Sequence, residues 1–265
     1  MRISRNVTLL AIFGALLVSG GQACGGHPEA PDSGTPDSGG GPMDSGGGQD
    51  VVQQQDAGGT LVLIDDEEQN TGSLDGNGGV VGAWYTYNDG TAAASETPAA
   101  GAAFTDTAIT AGDDPLAPTS LFVAEMKGMG FATWGAGMGF DLNNAGGEAG
   151  VAMPYDASKY KAFVFYAKAG TGTASVRFNV HTLNTDASGT SGCTGTSTSQ
   201  CNDDFGENLS LTTSWASYTV NFGDLAQQGF GKKTTWDPNE MLSVHFQVGK
   251  NTTFDIAVDN IYFLE

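Results

Sequence analysis

Two short runs of alternating residues carry most of the side chains with chemistry in this chain. In residues 175–182, Arg177, Asn179 and His181 alternate with Val176, Phe178 and Val180. In residues 243–248, Ser243, His245 and Gln247 alternate with Val244, Phe246 and Val248. A period of two is that of a strand with one buried face, so each polar set shares one side. If both strands belong to one sheet, the six polar side chains line a single groove. Guanidinium, amide and imidazole groups present planar arrays of donors and acceptors suited to sugar hydroxyls, and aromatic rings cover the apolar C–H faces of sugars. Trp84, Tyr85, Tyr87 and Trp134 are the rings available for stacking. Parity sets Trp84 opposite Tyr85 and Tyr87, so we expect Tyr85 and Tyr87 to face the ligand and Trp84 to be buried. Trp215 and Trp236 flank turns and are expected to pack. The competing expectation is that these polar faces are the solvated side of a half-buried sheet, which needs polar residues in any case.

Catalytic chemistry has little support. There is no Gly-x-Ser-x-Gly and no His-Glu-x-x-His, and Ser158-Lys-Tyr-Lys161 lacks the partner motifs that would make its Ser-x-x-Lys meaningful. A glycosidase needs two carboxylates across a cleft. Asp203, Asp204 and Glu207 are the acids that could be placed in that role, and nothing in the sequence fixes their partner.

The elements that must position these groups are strands. The chain has 265 residues, 40 of them glycine, with only 15% charged residues, and is rich in Thr, Ser, Val and Phe. Short alternating segments recur without any helical period, which argues for an antiparallel sandwich. Leu61–Ile64, Trp84–Tyr87, Leu121–Met126, Met138–Leu142, Phe163–Tyr166, Ser175–Thr182, Ser217–Phe222 and Ser243–Val248 read as strands. Asn88-Asp-Gly90 is a turn signal, and residues 224–228 allow a helical turn at most. The last stretch alternates as Phe254, Ile256, Val258 and then resumes at Ile261 and Phe263. One extra residue at Asp259-Asn260 explains the slip, which is the signature of a β-bulge.

Formal charge is −20, from 30 acids and 10 bases. Phosphate backbones demand the opposite sign, so the charge argues against nucleic acid as a partner. Arg2 and Arg5 precede an apolar run from Leu9 to Val18 and small residues from Gly20 to Cys24. That run is about half of the roughly 20 residues a membrane-spanning helix needs, so residues 1–24 read as an export signal. Cys24, followed by Gly25-Gly26, resembles the modified cysteine of a bacterial lipoprotein, although Gln22 and Gly21 depart from the usual pattern. Cleavage after Ala23 would instead release a free secreted protein. Residues 25–59 are a Gly/Ser/Pro/Asp linker with near-repeats at Pro31–Gly34 and Pro36–Gly39. Such a segment cannot bury enough apolar surface to order itself, and as a flexible coil it would reach about 30–35 Å. Residues 60–265 form the folded domain. With Cys24 assigned to lipid, Cys193 and Cys201 remain in an exported domain and are expected to form a disulfide.

Several stretches taken together resemble a known group. They are Leu63-Ile-Asp-Asp-Glu-Glu68, Trp84–Gly90, Phe131-Ala-Thr-Trp-Gly-Ala-Gly137, Tyr155–Tyr160, Cys201-Asn-Asp-Asp-Phe-Gly206 and Phe254–Ile261. In this order they are similar to exported bacterial carbohydrate-binding modules with a galactose-binding-domain-like jelly roll, and most of all to the family-eleven modules, which bind β-glucan chains. The resemblance implies an all-β jelly roll over the whole domain and a concave sheet carrying Arg and Ser-x-His on neighbouring strands. Arg177 and Ser243-Val-His245 match that pattern, whereas Asn179 stands where an acid is usual. It also implies pairing of the first and last strands around a structural Ca²⁺, for which Asp66, Glu68 and Asp259 are the expected ligands; carboxylate oxygens suit that ion. Glu67 departs from the family, which has Phe or Met there. The function these readings imply is a non-catalytic, monomeric surface lipoprotein that binds a polysaccharide or cell-wall glycan. The alternative is a structural or adhesive envelope protein that contacts another protein.

Overall fold

The computed structural model describes residues 59–146, 150–170, 175–187, 193 and 200–265. Residues 1–58, on which the expected export signal, the candidate lipidated Cys24 and most of the expected linker fall, lie outside the described residues.

Among the described residues the domain has twelve strands: β1 (Leu61–Asp65), β2 (Trp84–Asn88), β3 (Ser95–Thr97), β4 (Thr107–Ala108), β5 (Phe122–Met129), β6 (Gly135–Asp141), β7 (Ala162–Ala169), β8 (Ser175–Thr182), β9 (Phe205–Ser210), β10 (Ala216–Asn221), β11 (Met241–Gly249) and β12 (Thr253–Leu264). They make two antiparallel sheets packed as a jelly-roll sandwich. One has seven strands, with β10-β7-β12-β5-β3 in order, β1 beside β12 and β4 beside β5. The other has five, in the order β2-β6-β11-β8-β9. The only helical turns among the described residues are two of 3-10 type, at Asn77–Gly79 and Pro238–Glu240.

The alternation seen in the sequence sets what each sheet buries. Val176, Phe178 and Val180 of β8 and Val244, Phe246 and Val248 of β11 turn inward. They meet Phe163, Phe165, Ile256 and Val258 from the facing sheet. Trp84 is 1% exposed and stacks between Phe104 and Phe246, with Phe140 edge-on. Its indole Nε1 donates to Asp65 Oδ2 at 2.7 Å, which satisfies the one polar group such a ring brings into a core. Trp215 is buried and Trp236 packs against Phe205 and Phe222.

The slip in the last strand has a structural cause. On one edge β12 pairs first with β5, through Val258↔Ala124, and then with β1, starting at Ile261↔Asp65. The bulge falls where the partner changes. Asn260 adopts a left-handed backbone (φ 51°), and the β7 register on the other edge shifts between Asp259 and Tyr262. Reversing the side-chain phase there keeps Phe254, Ile256, Val258, Ile261 and Phe263 all in the main core. The opposite face of the strand is covered too, since Tyr262 and Leu264 join Leu61 and Ala162 in a second cluster.

Candidate functional site

The outer face of the five-stranded sheet lines a concavity of about 1020 Å³. Tyr85, Tyr87, Arg177, Asn179, His181, Ser243, His245 and Gln247 all contribute to its lining. Strand register explains why. Ser243 sits opposite His181, His245 opposite Asn179, and Gln247 opposite Arg177. Across β6, Tyr85 and His245 flank Gly139, and Tyr87 and Gln247 flank Gly137.

Those glycines shape the floor. A methyl group on Gly137 would collide with the Tyr87 ring, and one on Gly139 would meet the Val244 carbonyl and the His245 ring. A methyl on Gly206 of β9 would meet the Phe178 carbonyl and Asn179 Oδ1. Bare backbone on β6 therefore lets the Tyr87 and His245 rings lie down across the sheet. Tyr87 is stacked with Trp134 at 5.8 Å between centroids and lies 5.0 Å from His245. Gly137 and Gly139 lie within β6 itself, and nothing in their spacing marked them as the floor under these rings.

The polar groups of the floor are largely partnered with one another. Tyr85 Oη contacts His245 Nε2 at 2.7 Å and Asp141 Oδ1 at 3.4 Å, and Ser243 Oγ contacts the same His245 nitrogen at 3.1 Å. Burial, opposed by Asp204 and aided by His181, takes His245 down to about 4, so its ring is neutral at pH 7. Burial also raises the Tyr85 phenol well above its ordinary value, so the hydroxyl keeps its proton and donates. Asn179 Nδ2 donates to Gln247 Oε1 at 3.1 Å, which fixes the plane of both amides. Arg177 donates to the Ala226 carbonyl at 2.6 Å, with longer bonds to the Asp204 carbonyl and Asn208 Oδ1.

His181 differs from the others. Its Nδ1 is 2.7 Å from Asp204 Oδ1 and its Nε2 is 3.0 Å from Asp186 Oδ2. Burial disfavours its charge, but the two carboxylates outweigh that and lift it to about 10. Burial would raise Asp204, yet the His181 charge and a 2.6 Å bond from Thr185 Oγ1 leave it below the usual carboxylate range. With both ring nitrogens occupied, His181 stabilises the wall of the concavity and offers a ligand its ring face alone. The acid that the resemblance leads one to expect near Arg177 is absent at Asn179; the nearby acid is Asp204, and it braces His181. Asp141, Val151, Asn208 and Phe230 also line the concavity and were not singled out in the sequence. Phe230 lies in a loop without alternation, so no periodic signal marked it.

The glycosidase acids do not face each other across this space. Asp203 accepts from the Gln228, Gly229 and Gly231 amides, Asp204 is held by His181, and Glu207 alternates away from Asn208, which lines the concavity. Cys193 and Cys201 form a disulfide, with Cα atoms 5.2 Å apart.

A second group of acids sits where β1 meets β12. Asp65 and Asp259 are buried, and so is Glu67, at 2% exposure with a left-handed backbone (φ 58°). Asp65 Oδ1, both Glu67 carboxylate oxygens, Asp106 Oδ1 and Asp259 Oδ2 are buried without a hydrogen-bond partner. Of the expected calcium ligands, Asp66 accepts from the Glu68 amide, Glu68 Oε1 accepts from Ser120 Oγ and from the Leu121 and Phe122 amides, and only Asp259 is deeply buried. These three are not gathered as a three-carboxylate cage among the described residues. Burial, followed by repulsion from neighbouring acids, raises Asp65 and Glu67 far above the usual range and takes Asp66 to about 6. Burial also lifts Asp259 to about 7, against a bond from Ser120, with Asp114 and Glu68 adding to the rise. Glu67 stands where the sequence resemblance leads one to expect an apolar side chain, and it is buried there as a carboxyl group.

No family model matches the chain, and no curated protein matches it. Among solved structures it is similar to a family 30 carbohydrate-binding module, 14% identical, with 65% of this chain and 91% of that chain covered and a TM-score of 0.41. It is also similar to a family 11 carbohydrate-binding module of a cellulosomal cellulase from Clostridium thermocellum, 16% identical, with 78% and 95% covered and a TM-score of 0.45. A further similar structure is a family 11 module from Clostridium thermocellum in complex with a β-1,3-1,4-mixed-linked tetrasaccharide, 17% identical, with 77% of this chain and 94% of that chain covered and a TM-score of 0.47.

Proposed function

We propose that the domain binds a polysaccharide in the concavity of the five-stranded sheet, without catalysing its cleavage. One observation carries this reading: planar aromatic, amide and guanidinium groups, among them Tyr87, Arg177, Asn179, Gln247 and His245, line one concavity of about 1020 Å³. Rings match the C–H faces of pyranoses and fixed amides match their hydroxyls, and partners already locked together lose little freedom on binding. A panel of immobilised polysaccharides, probed with wild type and with the Tyr87→Ala and Arg177→Ala variants, tests it. Binding by wild type that either change weakens supports the reading. Binding unaffected by both changes removes the groove from it, and no binding to any glycan favours a protein-contacting envelope role instead.

The buried, unpartnered oxygens of Asp65, Glu67 and Asp259 favour a bound hard cation. Ca²⁺ in this acidic pocket would draw on the unpartnered oxygens of Asp65, Glu67 and Asp259, with backbone carbonyls and water completing its shell, since no three carboxylates of the described residues already converge on one point. The ion would neutralise carboxylates that otherwise repel one another; its role is structural. The N-terminal residues support export and lipid attachment at Cys24, with the domain carried as a monomer on its linker. Metabolic palmitate labelling that persists in Cys24→Ser would overturn the anchor.

A further inference from the structure

Two aromatic side chains at the mouth of the concavity are unusually exposed for their size: Trp134 at 40% and Phe230 at 46%. Both line the same concavity. Trp134 leads into β6 and stacks on Tyr87 of β2, one edge strand of the five-stranded sheet. Phe230 follows Ala226, which bridges to Gly206 of β9, the other edge strand. The four interstrand steps between those edges, at about 4.8 Å each, put them about 19 Å apart.

Each ring is presented in the same way. Asp89 Oδ2 accepts from the amides of Thr133 (2.8 Å), Trp134 (3.0 Å) and Gly135 (3.1 Å). Asp203 accepts from the amides of Gln228 (2.8 Å), Gly229 (2.9 Å) and Gly231 (3.0 Å), with Gln227 Nε2 bridging the Asp203 and Lys232 carbonyls. In both loops one carboxylate gathers three backbone amides around an aromatic residue left open to solvent. Charge-assisted bonds of this kind fix a loop firmly, and burial of the ring is not what they secure. Fixing an exposed ring in advance lowers the entropy lost when a ligand stacks on it.

We propose that Trp134 and Phe230 are the end platforms of a single extended binding site, so that a glycan chain crosses the strands from the β2 edge to the β9 edge. Asp89 and Asp203 are the positioning residues for the two platforms. The inference rests on the glycan reading above and adds direction and length to it: a short oligosaccharide occupies the Tyr87–His245 floor, and only a longer chain reaches both ends.

Titration calorimetry on the full chain tests this, using cello-, xylo-, manno- and chito-oligosaccharides from disaccharide to hexasaccharide. For the series that wild type binds, Trp134→Ala and Phe230→Ala should each weaken hexasaccharide binding about five- to tenfold, the worth of one stacked ring, while leaving the shortest bound member within about twofold. Asp89→Ala should reproduce the length-dependent loss of Trp134→Ala, a pattern that simple destabilisation would not give. A loss that is equal at every length, or no loss in either ring variant, overturns the proposal while the glycan reading stands. Failure of wild type to bind any member overturns both.

Discussion

The concave floor and the acidic pocket at the β1–β12 junction are both polar regions on a small apolar sandwich, and they solve the burial of charge in opposite ways. On the floor, opposite or complementary groups face each other: His181 lies between Asp204 and Asp186, Asn179 bonds Gln247, and Tyr85 bonds His245. At the junction, like groups face each other, and several carboxylate oxygens have no partner at all. The first region is closed within the chain except at the Tyr87 hydroxyl, which is buried without a partner. The second needs either protons or a cation. The contrast shows that buried carboxylates alone do not mark a cation site; what matters is whether the chain supplies the counter-charge.

Breaking the completed network should have the largest effect. His181→Ala leaves Asp204 buried without its cation and should cost about 3–5 kcal/mol in chemical denaturation at pH 7. His181 has a folded pKa of about 10, above its unfolded value. Its contribution is therefore fully present below about pH 6.5 and lost as pH rises through about 10. A wild-type stability profile flat between pH 7 and pH 10 would contradict this.

Completing the other region comes next in size. Calcium at about one hundred times its Kd should add about 2.7 kcal/mol, read as a rise in Tm that a chelator reverses. Asp66 and Asp259 are raised to about 6 and about 7, so without metal their contribution is present below their unfolded values and is lost as pH rises through 6 to 7. The metal-free protein should thus be more stable at pH 5 than at pH 7.5, and calcium should erase that difference. An unchanged midpoint with and without chelator at pH 7.5 would remove the metal from this account.

The smallest effects separate floor shape from floor stability. Gly139→Ala forces a methyl against the Val244 carbonyl and should cost about 1–3 kcal/mol. Gly137→Ala meets only the outer atoms of the Tyr87 ring, which can swing away. It should lower glycan affinity severalfold with little change in Tm. Equal stability losses in the two variants would mean that β6 is bare for packing reasons alone.

Much of the fold was readable because alternation is strict wherever one face of a strand is buried. The strand 175–182 and the phase slip at Asp259-Asn260 both follow from that rule. The six alternating polar residues were legible as a shared face for the same reason. What they bond to was not, because Asp204, Asp141 and Ala226 approach from loops and from other strands with no fixed spacing to the residues they meet. Phe230 escaped for the same reason. Glu67 was visible as an acid in an apolar position, but only its burial in the structure, on a left-handed backbone, shows that it points its carboxyl group inward rather than to solvent.

The last strand has a further consequence, for how the domain assembles. β12 lies between β7 on one edge and β5 with β1 on the other, and all three partners are far from it in sequence. Until it is in place, β5 and β7 each present an unpaired edge, and the first strand has no neighbour to join. Such long-range closure is slow, and open edges in the interval invite pairing with other chains. Acquisition of the native sheet should therefore behave as one late event, with protection from hydrogen exchange appearing in β1, β5 and β7 together, and removal of Ile261–Leu264 should leave an association-prone chain rather than a slightly shortened domain.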